Sequence, residues 1–276
     1  MSPGVEDEEA DLTRKQRREQ ARAQRKELEE AEAAKAVRRT RLTQLGIVVA
    51  IVAAIVIVIL IATGGGGTKK VAPHSKEANS TVAAVKTLIG GISQSGNTLG
   101  DPKAPVTLQY FGDLECPVCK EFTLGALPPI IEKWVKPGKV RIEYHSLETA
   151  TREPEVFKTQ QVAALAAGKQ GKAWDFIETF YHEQGEEDSG YVTESYLQGI
   201  AQQVPGLNLA TWTSARGEAA LANEVASDAQ AATNVGFTGT PSFLVGKTGG
   251  AMQKLEYASL TDPTSFNEAI EKLLKG

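Results

Sequence analysis

The sequence predicts an α/β domain carried behind a single membrane-spanning helix. Three observations predict it. A β-α-β pattern opens at residue 106, a long stretch with helical spacing follows before strands return near residue 242, and an uninterrupted apolar run occupies residues 45–63. The formal net charge of −4 gives no indication of a nucleic-acid surface.

Taken in order, residues 1–43 are dense in Glu, Lys, Arg, Gln and Ala, with few large apolar side chains beyond Leu12, Leu28, Val37 and Leu42. Such a segment cannot build a core and reads as a charged cytoplasmic tail, solvated whether or not it is helical. Residues 44–63 are expected to form the transmembrane helix. Their apolar run carries no charge and at 1.5 Å per residue reaches about 28 Å, the thickness of the hydrocarbon layer. The charged region before it is too long for a cleaved signal peptide, so the segment is expected to stay as an anchor. Lys35, Arg38, Arg39 and Arg41 outweigh Lys69 and Lys70 across it, which points the N-terminus to the cytoplasm and the rest of the chain outside the cell membrane. Residues 64–90 open on four glycines and read as a flexible linker, with a short helix expected near 81–89.

Residues 91–276 are long enough for one domain with a substantial core. After turn chemistry at 100–105, the run 106–111 reads as a buried strand, 117–135 as a helix and 140–145 as a second strand. Helices are expected over about 152–235. Trp174, Phe176, Ile177, Phe180 and Tyr181 form a broad apolar face there, and they read as core. A glycine-bearing loop at 236–241 then runs through Pro241 into a strand. Composition leaves open whether the bond before Pro241 is cis. Residues 254–257 read as a last strand. Asp262 and Pro263 start a closing helix in which Phe266, Ile270 and Leu273 share a face.

The chemistry centres on Cys116 and Cys119, the two cysteines of the chain. A disulfide closing so short a loop contributes only roughly 2 kcal/mol, so stability is a weak reason for the spacing. Cys116 lies where the 117–135 helix begins. There the free N–H groups and the positive end of the helix dipole favour a thiolate over a thiol. An ordinary thiol is only about 3% ionised at pH 7, so a lowered pKa would make Cys116 the nucleophile. Pro117 suits the first helical position. Reversible thiol–disulfide exchange is favoured over an inert disulfide. It is also favoured over half a metal site, because His74, His145 and His182 stand at no ligand spacing. Glu115 and Lys120 read as solvated charges, and His145 as structural or superficial.

The stretches 97–106, 111–119, 170–174 and 236–243, in this order, resemble the DsbA-like thiol–disulfide oxidoreductases of the thioredoxin superfamily. The resemblance implies a thioredoxin fold with an inserted helical domain, Cys116 as exposed nucleophile and Cys119 as its partner. It further implies that Pro241 is cis beside the sulfurs, and that Thr240, Pro117 and Val118 meet the substrate. Two departures stand out. Pro117 and Val118 leave no histidine between the cysteines, and Tyr110 stands where some superfamily members bury an acid. With no cofactor and no metal, the expected function is a membrane-anchored oxidase that introduces disulfides into exported proteins with free thiols. An integral-membrane, quinone-linked partner would reoxidise it. A reductase or isomerase using the same cysteines is the alternative, and a redox-inactive peptide-binding adaptor is another.

Overall fold

The computed structural model describes residues 75–275. The charged tail, the apolar run at 45–63 and most of the expected linker lie outside them. Among the described residues no helix is long and apolar enough to cross a membrane.

The first element is α1 (Lys76–Ile89), which corrects the expectation of a flexible linker up to residue 90. Ser75 caps it by accepting the Ala78 N–H at 3.0 Å. Ala78, Thr81, Val85 and Ile89 make a buried stripe at helical spacing, and the Thr81 hydroxyl donates to Glu183 at 2.9 Å. Ala78 and Thr81 give the first half of the stripe little apolar signal, so the sequence showed only the part near 81–89. It packs on α5 (Ala173–Glu183).

A hairpin of β1 (Gln94–Ser95) and β2 (Thr98–Leu99) leads into β3 (Val106–Gly112), α2 (Pro117–Leu124), α3 (Leu127–Ile130) and β4 (Val140–Ser146). The single helix expected over 117–135 is therefore broken, and its last part, Ile131–Val135, is a π-helical turn. The break is at Gly125. A Cβ there would stand 2.7 Å from the Glu121 carbonyl oxygen and 2.9 Å from that of Leu260. Leu260 takes the Ala126 N–H instead, at 2.9 Å. The helices α4 (Pro154–Gly168), α5, α6 (Glu194–Gln203), α7 (Leu209–Ala215) and α8 (Ala219–Val235) follow. The chain then returns as β5 (Ser242–Lys247), β6 (Met252–Lys254) and α9 (Thr264–Lys275). The last strand thus ends at Lys254. Leu255 and Tyr257 turn inward, and Leu255 N–H is held by the Phe243 carbonyl.

The sheet order is β1-β2-β4-β3-β5-β6, with β3 parallel to β4 and antiparallel to β5. Side chains alternate across β3, so its two faces meet different helices. Tyr110 joins Phe122 of α2, Tyr144 of β4 and Phe243 of β5 at ring separations of 5.1–5.5 Å, and Phe266 of α9 closes on Phe243 at 4.9 Å. Burying each ring stabilises the fold by about 1.5–3 kcal/mol. Phe111 points the other way, into a smaller cluster with Ala232 of α8, Leu147 and Leu244.

A polar latch completes that second face. Asp228 of α8 sits 2.6 Å from His145 Nδ1 and accepts the Ser146 N–H at 2.8 Å. Burial works against a charged His145, but the hydrogen bonds and charges of Asp228 and Glu143 outweigh it and raise the imidazolium to about 9. This contribution is complete below the usual histidine range and lost as pH rises through about 9. His145→Gln is expected to remove the loss of stability between pH 6.5 and 9, as followed by urea unfolding.

Glu178 of α5 is sealed from solvent with no hydrogen-bond partner on either carboxylate oxygen. Burial pushes its pKa up to about 8. Between about pH 4.5 and 8 the unfolded chain releases this proton and the folded chain keeps it, so stability falls as pH rises. Glu178→Gln should abolish that fall, which is worth on the order of 4 kcal/mol between pH 5 and 9 in unfolding experiments.

Candidate active site

Strand register gathers the site. Gly112, the last residue of β3, pairs with Ser146 at the end of β4, while Phe111 pairs with Ser242 at the start of β5. The loops after β3 and β4 and the loop before β5 therefore converge at one end of the sheet. Gly236, in the left-handed conformation at φ 70°, ends α8 and releases the chain into the last of these loops. The Thr240-Pro241 bond is cis.

Cys116 is the N-cap of α2, and its Sγ accepts the Cys119 N–H at 3.4 Å. The Thr240 carbonyl oxygen lies 3.6 Å from the same sulfur. The structure holds both cysteines as free thiols. Hydrogen bonding from the Cys119 thiol, then from the Thr240 side chain and the N–H groups of Cys119 and Val118, outweighs burial and lowers the Cys116 thiol to about 6. Burial, with the hydrogen bond and charge of Cys116, pushes the Cys119 thiol up. The two sulfurs are thus electrically unlike. The expectation of an exposed nucleophile needs correction, because Cys116 is only 5% exposed, against none for Cys119. Its neighbours supply the open rim. Pro117 is exposed and Val118 is 42% exposed.

Asp113 went unassigned in the sequence. Its carboxylate is fully buried and takes six hydrogen bonds. Oδ2 accepts the backbone N–H groups of Thr149, Ala150 and Thr151 at 2.9–3.1 Å. Oδ1 accepts the Thr151 hydroxyl at 2.7 Å, the Glu115 N–H at 3.1 Å and the Gln160 amide at 3.4 Å. An aspartate holding the N–H two residues on is readable from sequence. The other five bonds come from residues far along the chain and are not.

The helical segment also reaches the reactive loop. Gln184 donates its amide to the carbonyls of Leu114 and Cys116 at 2.8 and 3.0 Å. The Tyr110 hydroxyl donates to that of Tyr181 at 3.0 Å, which donates to the Asp113 carbonyl at 3.2 Å. Tyr110 thus fills the place of an acid with a buried phenol whose pKa is raised by burial and by the charge of Cys119. Glu115, expected to be solvated, is buried, and burial pushes its carboxyl up to about 7. Lys120 is half-buried on α2. Among the described residues no three His, Cys, Asp or Glu side chains gather as a metal would require.

A thioredoxin family model matches residues 93–270. The chain belongs to the thioredoxin family. Disulfide bond formation protein D of Bacillus subtilis is 26% identical over 183 residues, 64% of this chain and 77% of that protein. A probable disulfide bond formation protein D of Bacillus cereus is 25% identical, with 64% and 78% covered. The oxidised crystal structure of BdbD from Bacillus subtilis superposes with a TM-score of 0.56 at 24% identity, over 67% of this chain and 97% of that one. Wolbachia pipientis alpha-DsbA1 gives 0.54 at 20% identity, over 65% and 90%. Within the thioredoxin family the chain is a DsbA-like thiol–disulfide oxidoreductase, with the mixed α/β fold and helical insertion of that group.

Asp113→Asn would keep an oxygen for the N–H groups of residues 149–151 but turn its NH2 toward the Glu115 N–H and the Gln160 amide. It is expected to cost about 3 kcal/mol of stability in urea unfolding.

Proposed function

We propose that this protein is an oxidase, anchored in the cell membrane with its catalytic domain outside, that donates the Cys116/Cys119 disulfide to exported proteins. The observation that carries the reading is the inequality of the two thiols. A reduced pair in which one sulfur rests as a stabilised thiolate makes the disulfide a stronger oxidant.

The reaction follows from that inequality. A substrate thiolate attacks Cys116 Sγ, the disulfide breaks, and Cys119 leaves and takes up a proton. A second substrate thiolate attacks the substrate sulfur of the mixed disulfide, and Cys116 leaves as a thiolate. The substrate has lost two electrons to the cysteine pair, and one thiol proton passes to solvent. A low pKa makes Cys116 a good leaving group, while Cys119, held as a thiol, is slow to reverse the first step. Thr240, with cis Pro241, and the rim residues Pro117 and Val118 would receive an extended substrate segment. Reoxidation would fall to an integral-membrane, quinone-linked partner. The membrane placement rests on the apolar run 45–63 and its flanking charges. The 5% exposure of Cys116 favours, as a second reading, an adaptor that holds peptides without turnover.

In cells, Cys119→Ser should accumulate mixed disulfides with exported proteins, and Cys116→Ser should not. Equal patterns from the two variants would sink the exchange mechanism. The reduction potential against glutathione is expected nearer about −120 mV than about −270 mV, the latter being reductase territory.

A further inference from the structure

The loop after β6 reaches the reactive end of the sheet through Tyr257, which takes no part in the chemistry above. β6 pairs with β5 up to Lys254, opposite Leu244, and the Phe243 carbonyl then takes the Leu255 N–H at 3.0 Å. Carbonyls on one edge of a strand recur every second residue, so the next on this edge belongs to Pro241. β6 has ended by then. The Tyr257 hydroxyl takes the place of its N–H and donates to the Pro241 carbonyl at 3.1 Å. The ring has a seat of its own, stacked on Phe266 of α9 at 5.9 Å and edge-on to Phe243 at 5.4 Å. The hydroxyl therefore acts from a fixed mount.

Pro241 passes this constraint toward the nucleophile. Its ring fixes φ and the Thr240-Pro241 peptide is planar, so one soft dihedral, ψ of Pro241, separates the carbonyl of Pro241 from that of Thr240. A shift of the held carbonyl would be carried to the Thr240 carbonyl with little to absorb it. The Thr240 carbonyl oxygen lies 3.6 Å from Cys116 Sγ and accepts from its thiol. An oxygen so placed favours the thiol, which donates to it, and opposes the thiolate, which meets it lone pair to lone pair. We propose that Tyr257 is a positioning residue that sets the oxidising strength of the cysteine pair, its hydroxyl holding the Pro241 carbonyl so that the Thr240 carbonyl stays against Cys116 Sγ. The inference rests on the exchange chemistry proposed above. The held carbonyl opposes the N–H groups of α2, which favour the thiolate, and so limits how far the pair is driven toward its reduced form. The titratable groups around Cys116 are the Cys119 thiol on α2, Asp113 and Glu115 in its own loop, and Tyr257, whose pKa is raised by burial and by the charges of Cys119 and Cys116. Tyr257 thus remains a donor. Lys120 on α2 faces His182 of α5, and Gln184 brings a neutral amide to the Cys116 carbonyl.

The test uses the full chain in detergent. It follows the pH dependence of Cys116 alkylation by iodoacetamide, with the modified site read by mass spectrometry, and the equilibrium of the pair with glutathione at pH 7. In the unaltered protein the alkylation midpoint is expected near 6. Tyr257→Phe keeps the ring against Phe243 and Phe266 and removes the donor. The Thr240 carbonyl is then free to turn from the thiolate, so the midpoint should fall by about half a unit and the glutathione equilibrium should move about three-fold toward the reduced pair. Thr248→Val is the control. It removes a hydroxyl bond to the Ala104 carbonyl, 2.7 Å long, beyond the other end of β5, and should leave both readings unchanged. A Tyr257→Phe midpoint that is unchanged or higher would overturn the inference, and so would equal shifts from the two variants. A midpoint near 9 in the unaltered protein would instead overturn the exchange reading itself, which separates the two failures.

Discussion

The carboxylate of Asp113 is the contact on which the reactive end of the molecule depends. A buried charge without partners would cost several kcal/mol, and this one persists because six donors converge on it. Those donors come from the reactive loop itself, from the loop after β4 and from α4. One side chain therefore fixes the relative positions of three segments that the sheet only brings near one another. The energy that stabilises the carboxylate is the same energy that holds Glu115, and with it Cys116, in register with α2.

Above that anchor, the helical segment acts as a second support. Gln184 occupies the Leu114 carbonyl of the reactive loop, which would otherwise be buried and unpaired, and is a second donor to the Cys116 carbonyl, which also accepts the Lys120 N–H. Tyr181 passes a hydrogen bond from Tyr110 on the sheet to Asp113 on the loop. On the opposite face, Asp228 ties α8 to the end of β4, and α8 leads directly to the loop carrying Thr240 and Pro241. The insertion therefore sets the geometry of loops that belong to the sheet. It does not sit on the domain as an independent lid.

The inequality of the sulfurs follows from where the two side chains lie on α2. Cys116 precedes the first turn, where unpaired N–H groups point at it. Cys119 lies inside that turn on the buried face, over Tyr110, Tyr144 and Tyr181, each of which its charge would raise further. The same helix start that lowers one thiol delivers its neighbour into a low-dielectric interior. No ionisable side chain is required between the cysteines, which is consistent with Pro117 and Val118 standing there.

The pattern along the chain was enough for the strand, the turn and the helix start that present Cys116, the helical middle of the domain and the apolar faces of α5 and α9. These depend on local spacing and on periodic burial, and both are written along the chain. That α1 packs against α5 emerged with the folded chain, because Ala78 and Thr81 carry little periodic signal until a partner face exists. Only the tertiary structure decided that Gly125 breaks the helix after Cys119, since the Leu260 carbonyl that competes for Ala126 arrives from the far end of the chain. It alone assembled the bonds of Asp113, the clasp of Gln184, the burial of Glu115 and the meeting of Thr149 with Thr240. Hydrogen bonds between distant residues leave no period in a sequence, because their partners become neighbours only when the sheet register is set.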